Sequence, residues 1–234
     1  MPDLASGLVY YVIFLLSTTM HEASHALAAK LGGDLTAYHG GQVTLDPRPH
    51  VAREPFGMVI LPLISVLLSG WPFGFASAPY DPYWAVRHPR RAAWMALAGP
   101  AANLVLVLVA VLAIRVGILA GVFDSPLSIG FGHVVDSTDP STGWRGIGFF
   151  LSAMFSMNLA LMALNLIPLP PLDGSAGIAV LLSENVARKY THWLHENRVL
   201  GTVGMLVAWR AFDVIFQPIF MTAIGLLYPG VTYG

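Results

Sequence analysis

Leu4-Ala5-Ser6-Gly7-Leu8-Val9-Tyr10-Tyr11-Val12-Ile13-Phe14-Leu15-Leu16-Ser17-Thr18-Thr19-Met20-His21-Glu22-Ala23-Ser24-His25-Ala26-Leu27-Ala28-Ala29-Lys30-Leu31 is an apolar run with two imidazoles and a carboxylate in its second half. A hydrocarbon layer of ~30 Å needs roughly 20 helical residues to cross it, and this run is longer. Gly32-Gly33 follows, a pair suited to stopping a helix. The run does not read as a secretory signal. No basic region precedes it, and His21, Glu22 and His25 sit where a small-residue cleavage site would be expected. Ionisable groups inside a membrane helix are costly unless paired or bound, so such a cluster is functional by default. The alternative is that the three side chains hydrogen-bond one another at a helix end near the interface.

The rest of the composition agrees with a membrane setting. Charged side chains make up 11% of the 234 residues, against about 25% in ordinary soluble proteins. Hydrophobic residues make up 56%, and mean hydropathy is +0.66. A soluble chain with 12 basic and 13 acidic side chains could not hide that much apolar area. Disorder is excluded on the same grounds. A net charge of −1 leaves no basic footprint for nucleic acid. There is no cysteine, hence no disulfide, Fe–S cluster or thiolate-bound zinc, and any metal must use nitrogen and oxygen ligands. The chain is an integral membrane protein.

Further apolar stretches cover residues 92–114, 147–167 and 199–228, with shorter ones at 56–68 and 174–182. Three basic groups lie between them: Lys30, Arg48 and Arg53; Arg87, Arg90 and Arg91; and Arg188, Lys189 and Arg198. The loop 121–143 carries Asp124, Asp136 and Asp139 and no Lys or Arg. The positive-inside rule then puts the basic groups in the cytoplasm and the acidic loop outside. The alternation closes only if 56–68 enters and leaves on one side. The expected fold is an all-α polytopic membrane protein of about four to six membrane helices, with a re-entrant segment and a short cytoplasmic β hairpin. A short strand or hairpin is read in the segment 36–54, where Gln42-Val43-Thr44-Leu45 alternates between Gly40-Gly41 and Asp46-Pro47. A polar loop is the other reading. No internal repeat is visible.

His21-Glu22-Ala23-Ser24-His25 places two histidines four apart on one helical face, where both can reach one metal ion. Glu22 projects about 60° from His25 at ~100° per residue, so it can face a water beside the metal. Catalytic zinc usually takes three protein ligands and keeps an open position. Asp173 stands out as the third. It follows Pro168-Leu169-Pro170-Pro171-Leu172, where a span breaks and restarts, and irregular backbone at membrane depth lines a cavity or is buried in protein. Read without the histidine motif, Asp173 would be the N-cap of a helix beginning at Gly174. Gly99-Pro100 reads as a kinked or closely packed helix start. His39 and His50 read as solvated loop residues, and His133 falls outside. His192 and His195 belong with Trp193 to an interfacial helix. Arg210 and Asp213, three apart in the last span, are expected to pair within their helix.

Three motifs together resemble the site-2 protease family of intramembrane zinc metalloproteases. They are His21-Glu22-x-x-His25, Ala98-Gly99-Pro100-Ala101-Ala102-Asn103, and Asn165-x-x-Pro168-x-x-Pro171-Leu172-Asp173-Gly174, on three alternating spans within residues 8–185. The resemblance implies one zinc per chain on His21, His25 and Asp173, with Glu22 as catalytic acid and base. It implies that Asn165 orients substrate or stabilises the oxyanion, and that Asn103 supports the site. It also implies a transmembrane protein as substrate, in a prokaryotic cell membrane with the active site toward the cytoplasm. Residues 1–234 are then one membrane-embedded protease unit, with core spans about 4–31, 92–115 and 147–185 and an accessory span 199–228. No inserted peptide-binding domain or C-terminal nucleotide-binding module is expected. The family's membrane-associated β segment would correspond to 36–45. Two rivals remain: a metal transporter, against which the missing repeat speaks, and a silent adaptor, which has no need of Glu22.

Overall fold

Each long apolar run becomes a helix in the computed structural model, which describes residues 4–139, 141, 143–197 and 199–233. The first is α1 (Leu4–Gly32). Short helices follow: α2 (Thr36–His39), α3 (Pro47–Arg53), and α4 (Leu61–Ser69), which continues a π-helical turn at Phe56–Ile60. Then come α5 (Pro82–Arg87) and α6 (Pro89–Leu119), and a loop in which β1 (Phe123–Asp124) pairs antiparallel with β2 (Asp136–Ser137). The chain ends with α7 (Trp144–Asn165), α8 (Asp173–Gly177), a 3-10 turn at Ile178–Leu181, α9 (Glu184–Glu196) and α10 (Val199–Leu227). Among the described residues α1, α6, α7 and α10 are long and apolar enough to cross a membrane. The protein is an all-α polytopic membrane protein. α1 packs on α6, α6 on α7, and α10 flanks α7.

Residues 34–81 leave the end of α1 and return to it. Asp34 pins both ends of the excursion: its Oδ1 accepts from the Thr36 N–H (2.9 Å) and hydroxyl (2.6 Å), and its Oδ2 from the Asp81 N–H (2.8 Å). Within it, α3 and the helix Phe56–Ser69 meet at 112°. Fourteen helical residues rise only about 21 Å, short of a bilayer's ~30 Å. Gly70 (φ +75°) ends that helix in the left-handed conformation, and the chain comes back extended beside it. The Phe75 N–H donates to the Gly57 carbonyl at 3.0 Å. A Cβ on Gly57 would overlap the Phe75 carbonyl oxygen, so only glycine permits this approach. At the turning point Trp71 packs on Tyr10 of α1 and on Phe131 of the acidic loop.

Most of the basic side chains collect at the opposite end, while Arg115 and Arg145 lie toward the acidic loop and Arg210 on α10. Arg91 and the Trp84 indole both donate to the Gly32 carbonyl at 3.1 Å, and Arg90 reaches the Leu182 carbonyl at 3.0 Å. Arg188 and Lys189 lie on α9, which packs against α5 and α6. Arg198 lies outside the described residues. At Asp46, the N-cap of α3, hydrogen bonds from the Arg48 side chain and then its backbone N–H hold the carboxyl at about 2.

Two expectations need correction. No strand forms over 36–45. The Asp34 carboxylate nucleates a helical turn at Thr36 instead, and Gly41 (φ +72°) lets the Gln42 N–H fold back to the Ala37 carbonyl at 3.0 Å. Four alternating residues do not outweigh those local bonds. Arg210 and Asp213 form no ion pair among the described residues, and both are exposed. An ion pair three apart on an exposed helical face is worth only about 0.2–0.5 kcal/mol, too little to impose itself on two mobile side chains.

The return of 34–81 has a direct consequence. Single cysteines placed at Arg48, Arg90 and Asp136 of this cysteine-free chain should react with an impermeant reagent from one side at the first two and from the other at the third. Opposite-side labelling of Arg48 and Arg90 would refute the re-entrant path.

Candidate active site

His21 and His25 share the face of α1 that meets α6, each 6% exposed, with Glu22 beside them at 7%. Their inner ring nitrogens are fixed by acceptors. On α7, Asn158 Nδ2 donates to the Met154 carbonyl (2.9 Å), which leaves its Oδ1 to accept from Asn103 Nδ2 (2.9 Å). Asn103 Oδ1 must then accept from His21 Nδ1 (2.6 Å). His25 Nδ1 donates to the Met95 carbonyl (2.7 Å). A neutral ring so held carries its proton on Nδ1, and its Nε2 then presents a lone pair.

Those lone pairs converge on Asp173. Its Oδ2 lies 3.0 Å from His21 Nε2 and 3.3 Å from His25 Nε2. A proton on either ring satisfies contacts of this length, and the same three atoms are placed to share a cation. Donors held about 2.0–2.2 Å from a tetrahedral zinc stand roughly 3.3–3.6 Å apart; the His25 contact at 3.3 Å already has that spacing, and the His21 contact at 3.0 Å would open slightly to admit the ion. Asp173 caps nothing: it is the first residue of α8, Leu172 is the N-cap, and no side-chain cap bond forms. Glu22 offers a carboxylate oxygen within 4.8 Å of both histidine ligand atoms, farther than Asp173 comes. Asn165 ends α7 on the wall of the same cavity, one Nδ2 hydrogen donated to the Leu161 carbonyl at 3.0 Å.

The family model for peptidase family M50 matches residues 9–208. The chain belongs to that family. It is similar to YwhC of Bacillus subtilis, provisionally named a zinc metalloprotease, at 31% identity over 90% of this chain and 94% of that protein. It is also similar to Rip2 of Mycobacterium tuberculosis, likewise provisionally named, at 32% identity over 70% of this chain and 54% of that protein. The chain thus spans about half the length of Rip2. No solved structure matches it. This M50 member is a membrane zinc metallopeptidase, and the donor set found here fits zinc.

The M50 site opens into two adjoining cavities. One of about 460 Å³ holds His21, Glu22, His25, Asn165 and Asp173, and is walled by the extended residues 74–78 and by Met205. The other, about 610 Å³, runs from Asp173 past Tyr80 to Thr191, His195 and Asn197 of the basic end. The Tyr80 hydroxyl lies 3.0 Å from His195 Nε2 across its mouth. Sequence reading had no signal for Asn158, Met95 or Tyr80, since none belongs to a motif. It also misplaced Gly99-Pro100, which lie inside α6 and not at its start. His50, expected in solvent, is 1% exposed, while His39 is exposed and His133 pairs with Asp136 in the loop (2.6 Å).

Gly99 explains why α6 can come so close. A Cβ there would overlap Nε2 of both His21 and His25. Gly99→Ala should therefore lose zinc, read by elemental analysis, while far-UV circular dichroism stays helical. Retention of about one zinc per chain would show that the imidazoles do not need this space.

Proposed function

We propose that this peptidase hydrolyses a peptide bond within or near a transmembrane segment of another membrane protein, as in regulated intramembrane proteolysis. In this reading His21, His25 and Asp173 hold one zinc, and Glu22 is the acid and base. One observation carries it. Two imidazole nitrogens and a carboxylate oxygen converge at the wall of a cavity among membrane-crossing helices, and a second carboxylate adjoins them in the same cavity. A transporter would need no Glu22 there, and an adaptor would need no donor set.

Zinc in this site supplies a Lewis acid for the scissile carbonyl and lowers the pKa of water toward ~7. Glu22 takes the proton of the attacking water and hands it to the leaving amine. The Asn165 amide hydrogen not given to Leu161 is free to donate to the carbonyl oxygen as charge develops on it. A substrate helix hides its carbonyls in its own hydrogen bonds, so it must unwind to be cut. Residues 74–78, already extended beside the histidines, offer backbone for such a segment to pair with. In this reading the segment 74–78, which forms no regular strand, takes the part expected of 36–45. Water reaches the site through the larger cavity at the basic end, which the positive-inside rule assigns to the cytoplasm.

Single His21→Ala, His25→Ala and Asp173→Ala variants should each lose the one zinc per chain; full retention in the Asp173 variant would remove it from the ligand set. Glu22→Gln is the sharper test, because glutamine keeps the size and cannot move the proton. It should keep zinc and substrate association but lose cleavage by roughly 10²-fold or more in proteoliposomes. Near-normal proteolysis would sink the mechanism.

A further inference from the structure

Only 11% of the most apolar window of α10 is buried, against 33–50% in the other three long helices. Its inner face is accounted for. Gly204 meets the Pro170 carbonyl, Ala208 joins Ile167 and Leu172, and Phe216, Phe220 and Ile224 pack into the main core. Trp209 closes one flank against Phe73. The outer face carries Val199, Val203, Leu206, Arg210, Asp213 and Gln217, at alternating steps of four and three. All six are exposed, the first three at 77%, 53% and 64%. That spacing is the seam of a helix built to pack lengthwise on another.

Two opposite charges sit in the middle of that seam. Arg210 is about 17 Å along α10 from Val199 and about 26 Å from Leu227, too deep to leave both groups facing hydrocarbon cheaply. They do not pair within their own helix. They are, however, complementary to a copy of themselves. In a bilayer two copies share one orientation, so a two-fold axis stands along the membrane normal and the two α10 helices run parallel. Arg210 and Asp213 differ by about 4.5 Å in height, within reach of an arginine side chain. Leu206 and Val203 above them would close the rest of the seam.

We propose that the free face of α10 is a homodimer interface, closed by two reciprocal bonds between Arg210 and the partner's Asp213. The active-site cavities reach α10 at Gly201 and Met205, which are not seam positions. Another membrane protein could use the same face, but it would have no reason to carry the same charge pair in mirrored order.

Energy transfer between donor- and acceptor-labelled full-length chains, diluted across lipid vesicles, tests this. The wild type should associate. Arg210→Asp alone and Asp213→Arg alone should each weaken association at least roughly tenfold. Mixing the two variants should restore it, because one then presents two carboxylates and the other two guanidinium groups. Zinc content, unchanged in both, reports that the fold survives. The proposal is overturned by a wild type that stays monomeric, whatever other protein it binds. It is equally overturned by single variants that associate like wild type, or by zinc-loaded variants that fail to associate when mixed.

Discussion

An imidazole inside a bilayer has two ring nitrogens to satisfy and no bulk water with which to do it. For His21 and His25 the inner nitrogens are taken by Asn103 and by the Met95 carbonyl, both on α6. That requirement fixes where α6 must stand against α1, and Asn158 carries the same constraint on to α7. The three helices therefore meet in one register, because each supplies a partner that the histidine pair cannot obtain from lipid. Gly99 makes the approach sterically possible. Both outer nitrogens are thereby turned toward the break between α7 and α8 where Asp173 sits.

Hydrolysis needs water at this depth, and the short segments supply the route. The prolines between α7 and α8 stop the helix within the bundle, and residues 34–81 dip in and out along α1. Their extended return lines one side of the cavity, and α9 lies over the mouth. Irregular backbone is tolerated here because it is packed in protein or faces a cavity. A metal centre on unbroken spanning helices alone would be sealed.

The long helices were legible because a single apolar run of about twenty residues has one stable form in lipid. His21, Glu22 and His25 were legible because four-residue spacing on a helix survives any tertiary arrangement. Asp173 could be picked out because it follows a proline-broken span. The Asn158–Asn103 relay could not be read, since it joins residues 55 apart through side-chain geometry alone, and a backbone acceptor such as the Met95 carbonyl leaves no trace in residue identity. The strand expected at 36–45 failed on local competition: the Asp34 carboxylate and a left-handed Gly41 favour a turn there. The extended segment is instead 71–81, whose Trp71-Pro72-Phe73-Gly74-Phe75-Ala76 alternates aromatic with small residues but has no polar positions, so the polar–apolar pattern of a half-buried strand is missing.

In the proposed site Nε2 of His21, Nε2 of His25 and a carboxylate oxygen of Asp173, brought together from α1 and α8, hold one ion. Anomalous scattering at the zinc edge, from crystals of the zinc-loaded protein, locates that ion directly. It should lie about 2.0–2.2 Å from all three atoms, with Glu22 near it and not bonded to it. An ion bound by Glu22 in place of Asp173, or one found away from the two imidazoles, would show that the helices are held together for some other purpose.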